Sequence, residues 1–222
     1  MPSDAYPGRP TRVLVGRSRE RRALADSLDA LRDGRGSLVL ISGEAGIGKT
    51  TLLNDVVDEA ERQGMFTLRG HCLDLETPAP YALWQDALRG YDQHAELPRP
   101  PALSNPAQLS ELTGPEELRD GFLSFLRELA RRSPVLLALE DLHWADQTSL
   151  DLLRFITHQL ANTPLMIVAV YRDVEIGPTQ ALYRLLPSLV REARPTRIEL
   201  RPLDDDAVLE LLEVRYTGLG TD

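Results

Sequence analysis

The segment that most constrains the fold of this chain is GEAGIGKT, at residues 43–50. Its spacing, G-x-x-x-x-G-K-T, is that of a phosphate-binding loop. The β-rich apolar segment Ser37–Ser42 precedes it, and apolar residues at helical spacing follow from Lys49 to about residue 63. A strand, a glycine-rich turn and a helix therefore occur in the order that such a loop requires. This order disfavours the alternative of a turn that merely joins a strand to a helix.

The residue types in this loop have chemical reasons. Glycines let the backbone adopt positive φ angles and approach a ligand, so that successive N–H groups point into one anion-sized concavity. The helix that begins there adds roughly half a positive charge from its dipole. We expect Lys49, the only lysine among the 25 Lys and Arg residues, to reach the β- and γ-phosphates of a nucleotide, and Thr50 to ligate Mg²⁺. The predicted nucleotide contacts in the loop are Gly43, Glu44, Ala45, Gly46, Ile47, Gly48, Lys49, Thr50 and Thr51.

Beyond the loop, short apolar segments alternate with helical patterns. Further strands are predicted at residues 65–72, 135–139, 165–171 and 196–200. Strands that alternate with helices form parallel sheets. The predicted fold is therefore α/β, a P-loop NTPase fold whose mainly parallel five-stranded sheet is flanked by helices, with the start of a helical lid after it.

The chain is expected to divide into three regions. Residues 1–12 are a flexible lead-in, residues 13–202 the core, and residues 203–222 the first part of a lid. The core carries a Pro-rich insertion at about residues 77–115, interpreted as either a partner surface or a disordered spacer.

Several helix boundaries inside the core have recognisable signals. Ser18 and Asp146 are predicted N-terminal caps, and Pro115 is predicted as the first residue of a helix. Pro187 is expected to kink or split a helix that begins near Pro178.

Two acids follow the apolar segment VLLAL directly, Glu140 and Asp141. Ligands of open α/β sheets bind outside the carboxyl ends of the strands, where these acids would lie. We assign Glu140 to Mg²⁺ and Asp141 to the attacking water; the alternative is two solvated acids in a turn. Arg172 follows the next strand, where it either senses a γ-phosphate or is a plain surface arginine. His143 and Trp144 either orient the acidic loop or simply pack.

Composition excludes several classes of function. The net charge is −9 and the pI about 5.0, so this segment lacks the basic surface of a nucleic-acid binder and no direct DNA binding is expected from it. No apolar run approaches 18 residues and no secretory leader is recognisable, so no membrane partner and a cytoplasmic location are predicted. With Cys72 as the single cysteine, neither an internal disulfide nor a cysteine metal cluster can form.

Four sequence blocks in order resemble the ATPase domain of STAND-class regulators, which are AAA-like. They are LVGR with Glu20, then GEAGIGKTTLL, then LEDLHWAD, then VAVYRD, and the resemblance covers about residues 13–212. The sequence is most similar to the large ATP-binding LuxR-type transcriptional regulators. Guanine-specific GTPases carry an Asn-Lys-x-Asp motif, which a chain with one lysine in its phosphate loop cannot contain, so ATP is favoured over GTP.

The resemblance implies an ATP-dependent molecular switch, bound to ADP at rest, opened by inducer and ATP, and reset by slow hydrolysis. It also implies that Val15, Gly16 and Arg17 lie near adenine and that Arg172 is the sensor. Such regulators continue into a full lid, a winged-helix domain, a sensor region and a DNA-binding helix-turn-helix. The chain is therefore expected to be an ATPase module without those C-terminal regulatory and DNA-binding domains.

Other functions remain open at this stage. A mechanical AAA-like remodelling or loader ATPase would need self-association and an arginine finger, for which Arg184, Arg191 and Arg194 are candidates by position. A small-molecule kinase would need a closing lid with phosphate-gripping arginines. A nucleotide-binding scaffold would lack turnover altogether.

Overall fold

The computed structural model describes residues 14–89, 91, 97–99 and 114–217. The predicted lead-in at residues 1–12 and much of the predicted Pro-rich insertion lie outside these residues. In the described part the strands are β1 (Ser37–Ser42), β2 (Phe66–His71), β3 (Val135–Glu140), β4 (Leu165–Val170) and β5 (Thr196–Glu199). The α-helices described are α1 (Ser18–Arg32), α2 (Lys49–Arg62), α3 (Ala82–Arg89), α4 (Pro115–Ala130), α5 (Gln147–Thr157), α6 (Ala181–Ala193) and α7 (Asp205–Thr217).

All neighbouring strands pair in parallel, in the spatial order β2-β3-β4-β1-β5. This confirms the predicted five-stranded α/β sheet. The strand β4 lies between β1 and β3, so the strand that precedes the glycine-rich loop and the strand that precedes the two acids are not adjacent. Because the strands are parallel, the residues that follow β1, β4 and β3 all emerge at one edge of the sheet.

The three central strands are buried on both faces, which explains their continuous apolar sequences. In β1, Leu38 and Leu40 pack on the side that carries α3 to α6. Val39 and Ile41 pack on the opposite side, against the apolar stripes of α1 and α2. The edge strands β2 and β5 bury fewer residues, as expected for strands with one unpaired side.

Two of the predicted helix signals are confirmed. Asp146 caps α5, since its carboxylate accepts a hydrogen bond from the backbone N–H of Ser149 at 2.8 Å. Pro115 is the first residue of α4, where its missing N–H removes no helical hydrogen bond.

The predicted cap at Ser18 is wrong, and one of the two alternatives at Pro187 is excluded. Ser18 is already inside α1: the residue before it, Arg17, is the N-cap and makes no side-chain capping bond. At Pro187 a kink or a split was expected, and the split does not occur: α6 continues through the proline, with Leu182 and Leu185 buried before it and Leu189 buried after it.

The C-terminal helix α7 agrees with the helix predicted from residue 203 onward. Ala207 is buried, and Asp204 caps the helix by accepting from the Ala207 N–H at 2.9 Å. Further along, Leu209, Leu212 and Tyr216 are exposed. Among the helices that the structure describes, none combines the length and the apolar character needed to cross a membrane.

Candidate functional site

Three chain segments meet at the carboxyl edge of the sheet: the loop after β1, the turn after β3 and the turn after β4. Their proximity follows from the strand order, which places the end of β4 between the other two. The predicted phosphate-loop residues, the two acids and Arg172 lie on these segments or at their ends.

The loop after β1 has the backbone that its glycines predict. Gly43, Gly46 and Gly48 have φ angles of 147°, 75° and 103°. A side chain at Gly43 would also place a Cβ only 2.9 Å from the carbonyl oxygen of Leu200. Gly48 is the N-cap of α2, so the loop ends directly at the positive end of that helix. A glycine-rich turn that ends at a helix N-terminus is an arrangement in which backbone N–H groups can bind an anion.

Lys49 lies beneath this loop, with 7% of its surface exposed. Its Nζ donates to the carbonyl oxygens of Gly43 and Glu44 at 2.8 and 2.6 Å. An ammonium has three N–H groups, so one remains for a further acceptor. Burial lowers the pKa of Lys49, with a smaller contribution from the cation of Arg172, while Asp141 acts in the opposite direction. Lys49, Arg172 and Asp141 thus share one electrostatic environment.

The two acids after β3 have different backbone settings. Glu140 is the last residue of the strand, in register with His71 of β2. Asp141 adopts the left-handed conformation, with φ 52° and ψ 44°, which costs about 1–2 kcal/mol for most residues and is best tolerated by Asn and Asp. This turn brings one Asp141 oxygen to 3.9 Å from Arg172 Nε and the other to 3.8 Å from His71 Nδ1.

Arg172 is held on three sides. Its Nη1 donates to Glu175 Oε1 at 2.6 Å, its Nε faces Asp141, and its guanidinium lies 5.3 Å from the ring centre of Trp144. The hydrogen bond with Glu175 raises the pKa of Arg172. The sequence left open whether Arg172 senses a γ-phosphate or is a plain surface arginine, and the structure places its side chain beside Asp141.

His143 is buried beside this cluster. Its ring packs against Trp144 with a centroid distance of 4.5 Å and an interplanar angle of 42°. Its Nε2 lies 3.1 Å from Glu175 Oε2 without hydrogen-bond alignment. Burial lowers the pKa of His143, against the opposing effect of Asp141 and Glu175. The sequence left two roles open for this residue. The packing brings the turn after β3 into contact with the turn after β4.

Glu175 is the residue of this cluster that sequence reasoning missed. It ends the short 3₁₀ turn Asp173–Glu175 and lies three residues after Arg172. An acid at that spacing from a basic residue is a recognisable pairing signal in a helical turn. The signal was available in the sequence RDVE, although helical geometry there was not predicted.

The N-terminal segment Val15-Gly16-Arg17 contacts both the glycine-rich loop after β1 and the helix α7. The buried Arg17 guanidinium donates to the carbonyl oxygen of Ile47 at 3.2 Å and pairs with Glu20 at 3.4 Å. Gly16 has φ 66°, and a Cβ built on it would lie 2.5 Å from the Cβ of Ala207. The segment predicted to lie near adenine is therefore packed between the phosphate-loop residues and the C-terminal helix.

The chain is similar in sequence to one curated protein and in fold to several solved structures. The sequence is 29% identical, over 94% of this chain, to an uncharacterized protein of Rhizobium meliloti (strain 1021), of which the match covers 22%. The fold is similar to that of the Aeropyrum pernix ORC1 protein in complex with DNA, with a TM-score of 0.59, 18% identity and coverage of 93% of this chain and 50% of the other. It is also similar to that of AMPPCP-bound DnaA from Aquifex aeolicus, with a TM-score of 0.51, 14% identity and coverage of 93% and 52%.

The chain thus spans about a fifth of the length of that curated relative and about half of the two solved structures. The sequence model of a family described as the AAA ATPase domain matches residues 13–168, which include the glycine-rich loop and both acids. On that match, the chain belongs to the AAA ATPase domain family.

Proposed function

We propose that this chain is the ATP-binding, slowly hydrolysing switch module of a signal-responsive transcriptional regulator. The observation that carries the proposal is the convergence of Lys49, Asp141 and Arg172 at one edge of the sheet, beside a loop of positive-φ glycines. A buried ammonium, the N-terminus of a helix and a second cation suit a triphosphate, because these groups are positive and a triphosphate is strongly negative.

The residues of the site divide into roles. Residues 43–51 cradle the phosphates, and Lys49 neutralises the β- and γ-phosphates. Thr50 at the start of α2 and Glu140 at the end of β3 hold Mg²⁺, a cation that prefers hydroxyl and carboxylate oxygens. Bound Mg²⁺ would neutralise charge on the phosphate oxygens. Asp141 orients and deprotonates the attacking water, and Arg172 contacts the γ-phosphate.

The adenine end is proposed to lie against Val15, Gly16 and Arg17. Two contacts support this position: Arg17 holds the phosphate loop through the Ile47 carbonyl, and Gly16 faces Ala207 of α7. A base bound there would touch the N-terminal segment and the C-terminal helix together. We accordingly propose residues 203–222 as the first part of a lid and residues 13–202 as the core.

The regulatory role rests on the four sequence blocks that resemble STAND-class proteins. The match to a relative of which this chain covers 22% is compatible with a module inside a longer protein. Within such a protein, further regulatory and DNA-binding domains would respond to the nucleotide state of this module. A mechanical loader ATPase is the competing function, and it predicts different kinetics and assembly.

The test is single-turnover ATP hydrolysis together with sedimentation in the presence of Mg-ATP. A switch predicts turnover on the order of 10⁻⁴ to 10⁻² s⁻¹, the range of P-loop switches that work without an added arginine finger. Asp141→Asn should retain ATP binding and lose roughly 10²- to 10⁴-fold in rate, the usual contribution of a general base. The control is Asp33→Asn, which removes an equal charge from an exposed residue at the end of α1. It should change neither ATP binding nor the rate of hydrolysis.

Two results would contradict the proposal. Fast turnover that appears only with ATP-dependent oligomers would favour the mechanical ATPase. An unchanged rate in Asp141→Asn would move the water-positioning role to another group, Glu140 being the nearest in sequence.

A further inference from the structure

The shortest charged contact made by Arg172 is to an acid of its own turn. Arg172 Nη1 lies 2.6 Å from Glu175 Oε1, whereas the Asp141 carboxylate is 3.9 Å from Arg172 Nε. The guanidinium is therefore bonded most directly to Glu175 among its charged neighbours. Any other anion that binds the same guanidinium must share it with Glu175 or displace it.

Glu175 is itself held in place. It closes the turn Asp173–Glu175, which fixes its spacing from Arg172. Its second oxygen, Oε2, lies 3.1 Å from Nε2 of the buried His143. The carboxylate thus bridges the turn after β4 and the turn after β3, with 38% of the Glu175 side chain exposed.

The negative charge of Glu175 also reaches Lys49. Asp141, Asp173 and Glu175 are the three carboxylates that oppose the lowering of the Lys49 pKa. A nucleotide brings further negative charge into this environment. Its terminal phosphate extends furthest toward Arg172 and Glu175 in the proposed orientation, and ADP ends one phosphate earlier.

We propose that Glu175 is a specificity-determining residue, which sets the preference of this site between ATP and ADP by competing with the γ-phosphate for Arg172. The inference rests on the proposed function, since it requires a nucleotide whose terminal phosphate reaches Arg172. In this account Glu175 weakens the binding of ATP more than the binding of ADP. The affinities of the site for ATP and ADP are therefore closer to each other than they would be in a site that had Lys49 and Arg172 but not Glu175.

The test is the ratio of the dissociation constants for Mg-ATP and Mg-ADP in Glu175→Gln, measured by titration calorimetry at fixed salt. The glutamine keeps the shape of the side chain and removes its charge. We expect ATP to bind roughly 2- to 5-fold more tightly and ADP to change less than about 1.5-fold, a range in keeping with a solvent-exposed ion pair. The gain should shrink as salt is raised.

A matched control is available near the C-terminal end of α6. Glu192 accepts from Arg154 at 3.0 and 2.9 Å and lies 3.1 Å from His158 Nε2, so it has the same kinds of partner as Glu175. Glu192→Gln should leave the ratio unchanged. In an Arg172→Ala background, Glu175→Gln should no longer favour ATP, because the guanidinium for which it competes is gone.

The possible results separate the two proposals. An unchanged ratio in Glu175→Gln, or equal weakening of both nucleotides, overturns the inference while leaving the proposed function intact. A gain that persists without Arg172 also overturns it. Failure of the wild-type chain to bind either nucleotide overturns both.

Discussion

The closest approach between the N-terminal segment and the C-terminal helix predicts a large effect of a small substitution, Gly16→Ala. Gly16 has φ 66°, and an added Cβ would lie 2.5 Å from the Cβ of Ala207 and 3.1 Å from Leu203 Cδ2. Carbon atoms in contact prefer about 3.5–4.0 Å, so α7 would have to move by about 1 Å. The substitution therefore combines backbone strain with a steric clash.

A second glycine separates these two effects. Gly34 has φ 83°, and nothing lies within 4 Å of a Cβ built on it, so Gly34→Ala tests the backbone strain alone. The left-handed conformation costs about 1–2 kcal/mol for a residue with a side chain. Overpacking typically adds about 1–3 kcal/mol, so Gly16→Ala should lower the free energy of unfolding by about 2–5 kcal/mol and Gly34→Ala by about 1–2.

The assay is urea unfolding followed by circular dichroism, with Ala207→Gly as the rescuing substitution. In the Gly16→Ala background, Ala207→Gly should recover part of the lost stability. In the wild-type background, Ala207→Gly removes a buried methyl group and should be destabilising. Equal losses for Gly16→Ala and Gly34→Ala would refute the predicted contact. So would the absence of any coupling between residues 16 and 207.

Two further predictions concern titratable groups. Burial, with smaller contributions from Asp146, Asp141 and Asp86, raises the pKa of the Cys72 thiol from 9.0 to about 12. At pH 8, iodoacetamide should therefore alkylate Cys72 about 10³-fold more slowly in the folded chain than in urea, as measured by mass spectrometry. Equal rates of alkylation would contradict a buried thiol. Burial lowers the pKa of His143 below 6.5, so the unfolded chain takes up this proton at a higher pH than the folded chain does. The neutral form therefore favours folding, and stability is lost as pH falls through 6.5. Wild type should lose more stability between pH 8 and pH 5 than His143→Gln in urea titrations, and parallel pH profiles would argue against this role of burial.

The parts of the molecule predicted from sequence are those set by local patterns. The central strands have continuous apolar sequences because both faces are covered, and this property is visible in VLLAL without any knowledge of neighbours. The phosphate loop is equally local, since its glycines, Lys49 and the start of α2 lie within a few residues of one another. The Asp146 cap depends on one turn of helix, and it too was predicted correctly.

The features that were missed depend on contacts between distant segments. The strand β4 lies between β1 and β3 in the sheet, and no local sequence pattern indicates this spatial order. The left-handed turn at Asp141 and the bridge from Glu175 to His143 arise where two turns meet. Pro187 was expected to kink or split its helix, and the helix is not split, since Leu185 and Leu189 are buried on both sides of the proline.

The most direct test of nucleotide binding is the thermal unfolding midpoint of the wild-type chain and of Lys49→Ala, each with Mg-ATP, Mg-ADP and Mg-GTP. At 100 times its dissociation constant a ligand stabilises the native state by about 2.7 kcal/mol. For a chain of this size, that corresponds to a rise of about 5–10 °C. We predict that ATP and ADP raise the midpoint of the wild type, that GTP does so less, and that none raises the midpoint of Lys49→Ala. An equal rise in Lys49→Ala, or no rise in the wild type, would contradict nucleotide binding at this loop.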